Sequence, residues 1–352
     1  MILHLFPRAI VHALICFVWL ACLVPAVQAQ TLQSLAAYEK EDRQQRLIEG
    51  AKKEGSLTLY TAMPRNYMNQ LIEPFEKKYG IKVNVWQATG ETILRKVINE
   101  TKGGLPNSDV IHSTALVQEA LVSENMLQEV HSPTHKALIP SAVPAHRYYA
   151  STLQYVFVQA YNTTKIKKEE LPKTYEELSS PRWKGKLALE AEDAEWVASV
   201  INDMGEAKGL RFFEDLVASN SLSSRKGHTL LVNLVAAGEV PLALTVYQYA
   251  VEQLKKKNAP IDWFAIEPAV SVMSGMSVPR NAPHPHAAIL FYDYMLGAEA
   301  QAIVANLGYV PTSTAIESPL KGVKLKYLDG AALFKEQRKS QAQLEAIFKT
   351  QR

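Results

Sequence analysis

Beyond residue 22 the chain has no cysteine; its two, Cys16 and Cys22, lie within the first 29 residues. That excludes a disulfide, a zinc–thiolate site and a cysteine nucleophile from everything downstream. Also absent are GxSxG, the phosphate-cradling GxxxxGK[ST] and HExxH, so no local signature of hydrolysis, nucleotide or zinc-protease chemistry is present. The expectation is a protein that is not an enzyme and carries no cofactor and no metal site of its own. Charge of one sign is lacking too: 38 Lys and Arg face 35 Asp and Glu, a formal net charge of +3. Nucleic-acid binding needs basic charge clustered on one face, and the densest run, Lys255 to Lys257, reads as the end of a helix, where cations suit the dipole. After residue 29 no apolar run reaches the ~18 residues of a membrane-spanning helix.

What is present begins with an export signal. "MILHLFPR" carries one charge, Arg8, an apolar stretch follows, and "VQA" puts small residues before Gln30. Residues 1–29 are read as a signal peptide cleaved near Ala29, which directs the chain to the periplasm. A retained anchor and a lipid on Cys22 are the alternatives. Pro25 argues against the first, and Trp19, three before the cysteine, against the second.

Strand and helix patterns alternate downstream. "SLTLYTA" (56–62), "IKVNVWQA" (81–88) and "SDVIHST" (108–114) read as strands. Between them, Tyr67, Leu71, Phe75 and Tyr79 mark one helical face, with a kink expected at Pro74. Thr89 reads as the N-cap of the next helix. Residues 151–166, 186–190 and 240–245, "IDWFAI" and "VSVMSGMSV" are further strands, and a polar helix ends the chain over about 330–350. Such alternation means sheets flanked by helices, with ligands bound at the carboxyl ends of the strands. Here those ends are "TAMPRN", "ATGET", "STAL", "EAEDAEW" and "TVYQYA".

"FEKKYGIKVNV", "SDVIHST", "YNTTKI", "PRWKGKLAL", "AAGEVPLALT" and the "SG" of "VMSGMSV" resemble a periplasmic solute-binding protein of the ferric-ion-binding group, serving an ABC importer. The resemblance covers about 50–320. It implies an α/β, two-lobed type II periplasmic binding protein fold, each lobe a mixed sheet flanked by helices, with the ligand cleft between them and hinge closure on the ligand. On that pattern residues 30–158 and 269–318 form the first lobe, 159–268 the second, and 319–352 are C-terminal helices on the second. It also implies a small-molecule ligand, an ABC permease as partner and a monomer. Carried over by position, the family's histidine becomes Pro64, its glutamate Thr114, its tyrosine pair Gln248 and Tyr249, its anion-holding arginine falls near Tyr155, and its anion loop becomes residues 191–195. One of four metal ligands survives, so an organic solute is expected over iron.

Thr61, Met63, Thr89, Gly90, Ser113 and Thr114 are the candidate ligand contacts of the first lobe, and Tyr155 and Ser274 those of the crossing strands. Glu192, Asp193, Trp196, Tyr247, Gln248 and Tyr249 are the candidates of the second. The acids Glu190, Glu192, Asp193 and Glu195 read either as a helix N-terminus favouring negative charge or as a wall for a cationic, amine-bearing solute. A metal site from Glu192, Asp193 and tyrosines is a third reading. If "TVYQYA" is helical, Tyr247 and Tyr249 diverge; if it is extended, they share a face. His284 and His286 read as surface residues at a helix start. A sensor docking on a membrane receptor is the remaining alternative to import.

Overall fold

The computed structural model describes residues 32–349; the segment read as an export signal lies outside them. In chain order the strands are β1 (Ser56–Thr61), β2 (Lys82–Gln87), β3 (Val110–Thr114), β4 (Tyr149–Asn162), β5 (Leu187–Glu190), β6 (Ser223–Arg225), β7 (Leu242–Tyr247), β8 (Ile261–Phe264), β9 (Ala269–Ser277), β10 (Val310–Pro311) and β11 (Leu325–Tyr327). Their spatial order is β2-β1-β3-β9-β4-β7-β5-β6. The outer trios β2-β1-β3 and β7-β5-β6 are parallel, as expected where helices follow strands. The central strands β4 and β9 run antiparallel to each other, β9 antiparallel to its neighbour β3 in the first trio and β4 antiparallel to its neighbour β7 in the second.

These two strands join the lobes. The first half of β4 pairs with β9, from Tyr149 opposite Ser277 to Val156 opposite Ser271. Its second half pairs with β7 and β8. The cores divide at the same place: Leu153 packs with Leu59, Phe75, Val110 and Phe291, whereas Phe157, four residues on, packs with Trp183, Leu189, Trp196 and Phe213. At about 25 cal/mol per Å² of apolar surface removed from water, each cluster is a core in its own right. Gly275 is required where the crossing strands approach, because a Cβ there would lie 3.0 Å from the Ala150 carbonyl oxygen.

The helix Arg65–Tyr79 contains Pro74 and continues past it as one element. Other local readings change. His284 and His286 are half-buried clamps rather than surface residues. The His284 backbone N–H donates to Asp109 at 2.6 Å and that of His286 to Glu54 at 3.1 Å, with both rings against the same carboxylates. The C-terminal helix, Gly330–Lys349, expected on the second lobe, touches both. Leu344 and Ile347 belong to the second core, while Gly330 lies against Ala115, Glu119 and Tyr149 of the first lobe. The reason is its origin: β11 pairs with crossing strand β9, so the helix starts at the junction. Among the described residues no helix is long and apolar enough to cross a membrane.

Candidate functional site

A cavity of about 150 Å³ opens between the lobes. Thr114, Ala115 and Leu116 line it from the first lobe, Glu192, Ala194, Glu195 and Tyr247 from the second, Val272 and Met273 from β9, and Leu333, Gln337, Ser340 and Gln341 from the C-terminal helix. These are the strand-end positions where an open α/β sheet binds ligands. A wider hollow of about 520 Å³ lies among first-lobe helices around Arg43, Tyr79 and Asp293, away from the strand ends.

The acids of "EAEDAEW" do four different things. Glu190, at the end of β5, is a strut: its two oxygens accept from the backbone N–H groups of Gly227 and Glu192, each at 2.6 Å. Glu192 is exposed and pairs with Lys226 at 2.7 Å. Asp193 is buried; Oδ1 lies 3.2 Å from His228 Nε2, and Oδ2 has no hydrogen-bond partner. Glu195 faces the cavity. Asp193 immediately precedes the helix Ala194–Met204 and does not cap it through its side chain. The ligand atoms of Glu190, Asp193 and His228 lie within 4.8 Å of one another. Of the suggested grouping of Glu192, Asp193 and tyrosines, Asp193 stands instead with Glu190 and His228, while Glu192 pairs outward with Lys226.

Burial, followed by the charge of Asp193, pushes the Glu195 carboxyl up to about 7. Asp193 is also raised by burial, with His228 opposing. Burial lowers His228, but the charges of Asp193, Glu190 and Glu195 together hold it above the usual imidazole value. Among the described residues no Lys or Arg lies within 4.0 Å of Glu190, Asp193 or Glu195.

"TVYQYA" is neither wholly helical nor wholly extended. Tyr247 ends β7 with φ −79° and ψ 131°, and Gln248 begins the helix Gln248–Lys255. This junction brings the rings of Tyr247 and Tyr249 to a stacked 6.0 Å, while Gln248 is buried. Tyr155 lies 4.9 Å from Tyr247, and Tyr309 lies 4.3 Å from Tyr249. Tyr247 also covers His228 at 4.0 Å. Burial raises all four phenols, Tyr249 to about 12, so they are neutral at pH 7.

Most of the other expected contacts are engaged in the fold, although the buried Ser113 hydroxyl has no hydrogen-bond partner. Thr61 is fully buried and its hydroxyl accepts from Met63 N–H at 3.0 Å; Met63 is buried too. Thr89 caps its helix by accepting from Thr92 N–H, and a Cβ on Gly90 would lie 2.9 Å from Val117. Ser274 donates to the Ser113 carbonyl at 3.1 Å. Trp196, expected beside the ligand, is instead a core residue, 1% exposed, packed between Tyr175 and Phe213. Of the predicted residues, Thr114, Glu192 and Tyr247 line the cavity, with Asp193 behind it. The role of the C-terminal helix in lining the cavity was missed, although the helix itself was expected. Its signal was a stripe at 3.5-residue spacing, Leu333, Gln337, Ser340, Leu344 and Ile347, polar only in the middle.

Two lobes joined by crossing strands with a cavity between are the fold of type II periplasmic binding proteins. Iron-bound HitA from Pseudomonas aeruginosa superposes with a TM-score of 0.73 at 22% identity, covering 83% of this chain and 99% of that one. AfuA from Actinobacillus pleuropneumoniae, with fructose-6-phosphate bound, gives 0.70 at 22%, covering 84% and 99%. The chain belongs to the bacterial extracellular solute-binding proteins, whose family model matches residues 70–324. Among curated relatives, iron uptake protein A1 of Synechocystis is 25% identical over 273 residues, 72% of this chain and 74% of that protein. The Fe(3+)-binding periplasmic protein of Serratia marcescens is 23% identical over 303 residues, 81% and 88%.

Proposed function

We propose that this chain is the periplasmic capture component of an ABC importer. It encloses one small, cationic, amine-bearing organic solute between its lobes and delivers it, as a monomer, to a membrane permease. The observation that carries the solute class is the charge balance of the second-lobe wall: Glu190, Asp193 and Glu195 gather there with a single imidazole as counter-charge. A bound ammonium supplies the missing positive charge and hydrogen-bonds to Glu195. The stacked phenols offer neutral faces for the solute's apolar part, and a cation over such a face is itself favourable. Closure follows from differential affinity, since a solute touching Thr114 on one side and Glu195 on the other stabilises the closed form.

Relatives named for iron favour a second reading, ferric capture by the tyrosine cluster. Against it stand Pro64 and Thr114, which offer no anionic oxygen from the first lobe. The deciding experiment is a thermal-shift screen of the ligand-free protein with di- and polyamines, carboxylates, sugar phosphates and Fe(III). Stabilisation by amines, abolished in E195Q, supports the proposal. A response confined to anions overturns it, and so does iron-dependent stabilisation with a visible phenolate charge-transfer band.

A further inference from the structure

The C-terminal helix bridges the lobes directly over the cavity. At its start Gly330 is wedged against the first lobe: a Cβ there would lie 2.7 Å from Tyr149 Oη and 3.0 Å from Ala115 Cβ. At its other end Leu344 and Ile347 are 3% and 1% exposed in the second-lobe core. On the far face, Lys339 pairs with Glu206 at 2.8 Å and Gln343 donates to the same carboxylate at 3.2 Å. Both additions tie the helix more firmly to the second lobe than to the first.

The inward stripe changes chemistry along its length. A helix that merely packs presents apolar residues throughout its buried face. Here the ends are Gly330 and the apolar Leu344 and Ile347, and the part that lines the cavity is Leu333, Gln337 and Ser340, with Gln341 beside them. Ser340 is 8% exposed, whereas Gln337 and Gln341 are exposed. A buried, cavity-facing hydroxyl has a cost unless something there hydrogen-bonds to it. The polar part of the stripe thus coincides with the cavity.

We infer that this helix is the third wall of the solute site. Gln337 and Ser340 contact the solute, and the helix straps the lobes so that opening must unseat its Gly330 end while the Leu344–Ile347 end stays anchored. The contact assignment rests on the solute-capture reading; the strap does not.

The test uses a cysteine as a reporter, since residues 30–352 contain none. In S340C the thiol sits beneath the helix, whereas in K335C it is exposed. Reaction of S340C with a soluble disulfide reagent is expected to be slower than that of K335C on the order of tenfold or more, as for any site that must open before it reacts. Adding G330L, which forces the first-lobe end away, is expected to bring S340C up to the K335C rate while circular dichroism and the unfolding transition of the two cores persist. A thiol in S340C that reacts as fast as that in K335C overturns the inference, as does a slow rate that G330L leaves unchanged. Should G330L fail to fold, G330A, a smaller wedge, gives the same comparison. An amine that binds is expected to slow the S340C reaction further, and an amine that stabilises the protein without doing so overturns the solute contacts. If no amine binds, the solute proposal fails, while the two rates still decide the strap.

Discussion

His112 gives the fold a built-in sensitivity to acid. It lies on β3, fully buried, with Nε2 2.9 Å from Thr152 Oγ1 and Nδ1 3.4 Å from Thr61 Oγ1; Thr152 in turn donates to the Ser274 carbonyl. With Thr152 donating onward, the network assigns the imidazole proton to Nε2 and makes Nδ1 an acceptor. Burial lowers His112 from 6.5 to about 4. The depressed value fixes the sign: between pH 6.5 and about 4 the unfolded chain takes up a proton that the folded one refuses, so stability falls as pH falls through that window. Linkage with these two values gives a loss of about 2 kcal/mol between pH 7 and pH 5 from this residue alone. Urea unfolding at the two pH values, in wild type and in H112Q, isolates the contribution. The neutral amide keeps a donor near Thr152 and does not titrate, so the loss in the variant is expected to be smaller by about 2 kcal/mol. Equal losses in the two proteins would show that His112 does not supply the effect.

Four further outcomes follow from three other residues. In E195Q the wall loses its titrating group: wild-type affinity for a cationic solute is expected to fall about tenfold from pH 8 to pH 6, as Glu195 protonates around 7, and calorimetry should find the variant's weak binding flat over that range. Asp193, Glu190, His228 and Tyr247 face the same carboxyl, so E195Q is also expected to raise thermal stability at pH 7 by relieving a buried charge. In G209A a Cβ would fall 2.5 Å from Ile201 Cα, backbone against backbone, and denaturant melts should register a loss of roughly 1–3 kcal/mol. Asp293 accepts from the buried Arg43 guanidinium at 3.0 Å; D293A strands that cation and is expected to cost about 3–5 kcal/mol, with D293N milder by the same assay.

The site was partly legible from sequence, and the division has physical causes. Thr114, Glu192 and Tyr247 were found because strand ends and the residues after them are where an α/β sheet presents side chains. Thr61 and Met63 sit at such an end yet turn inward, because a hydroxyl at the end of β1 serves its own turn. Trp196 was misplaced for a related reason: loop proximity says nothing about which face of the following helix meets the sheet. The roles of Glu190, Asp193 and His228 could not be read at all. His228 is 35 residues from Asp193 in the chain and comes beside it only because β5 pairs with β6, whose following turn returns to the β5 end.

The sequence alone determined the periodicities, and with them most of the strands and helices of both lobes, since burial of regularly spaced apolar residues is a local property of the chain; the short polar strand β6 carried no such pattern. It also excluded thiol chemistry and any broad charged surface. Only the tertiary structure decided which acids face the cavity, how the strand-to-helix junction stacks Tyr247 on Tyr249, and that the final helix spans both lobes. Those depend on the relative placement of elements far apart in the chain, which a pattern of spacing does not encode.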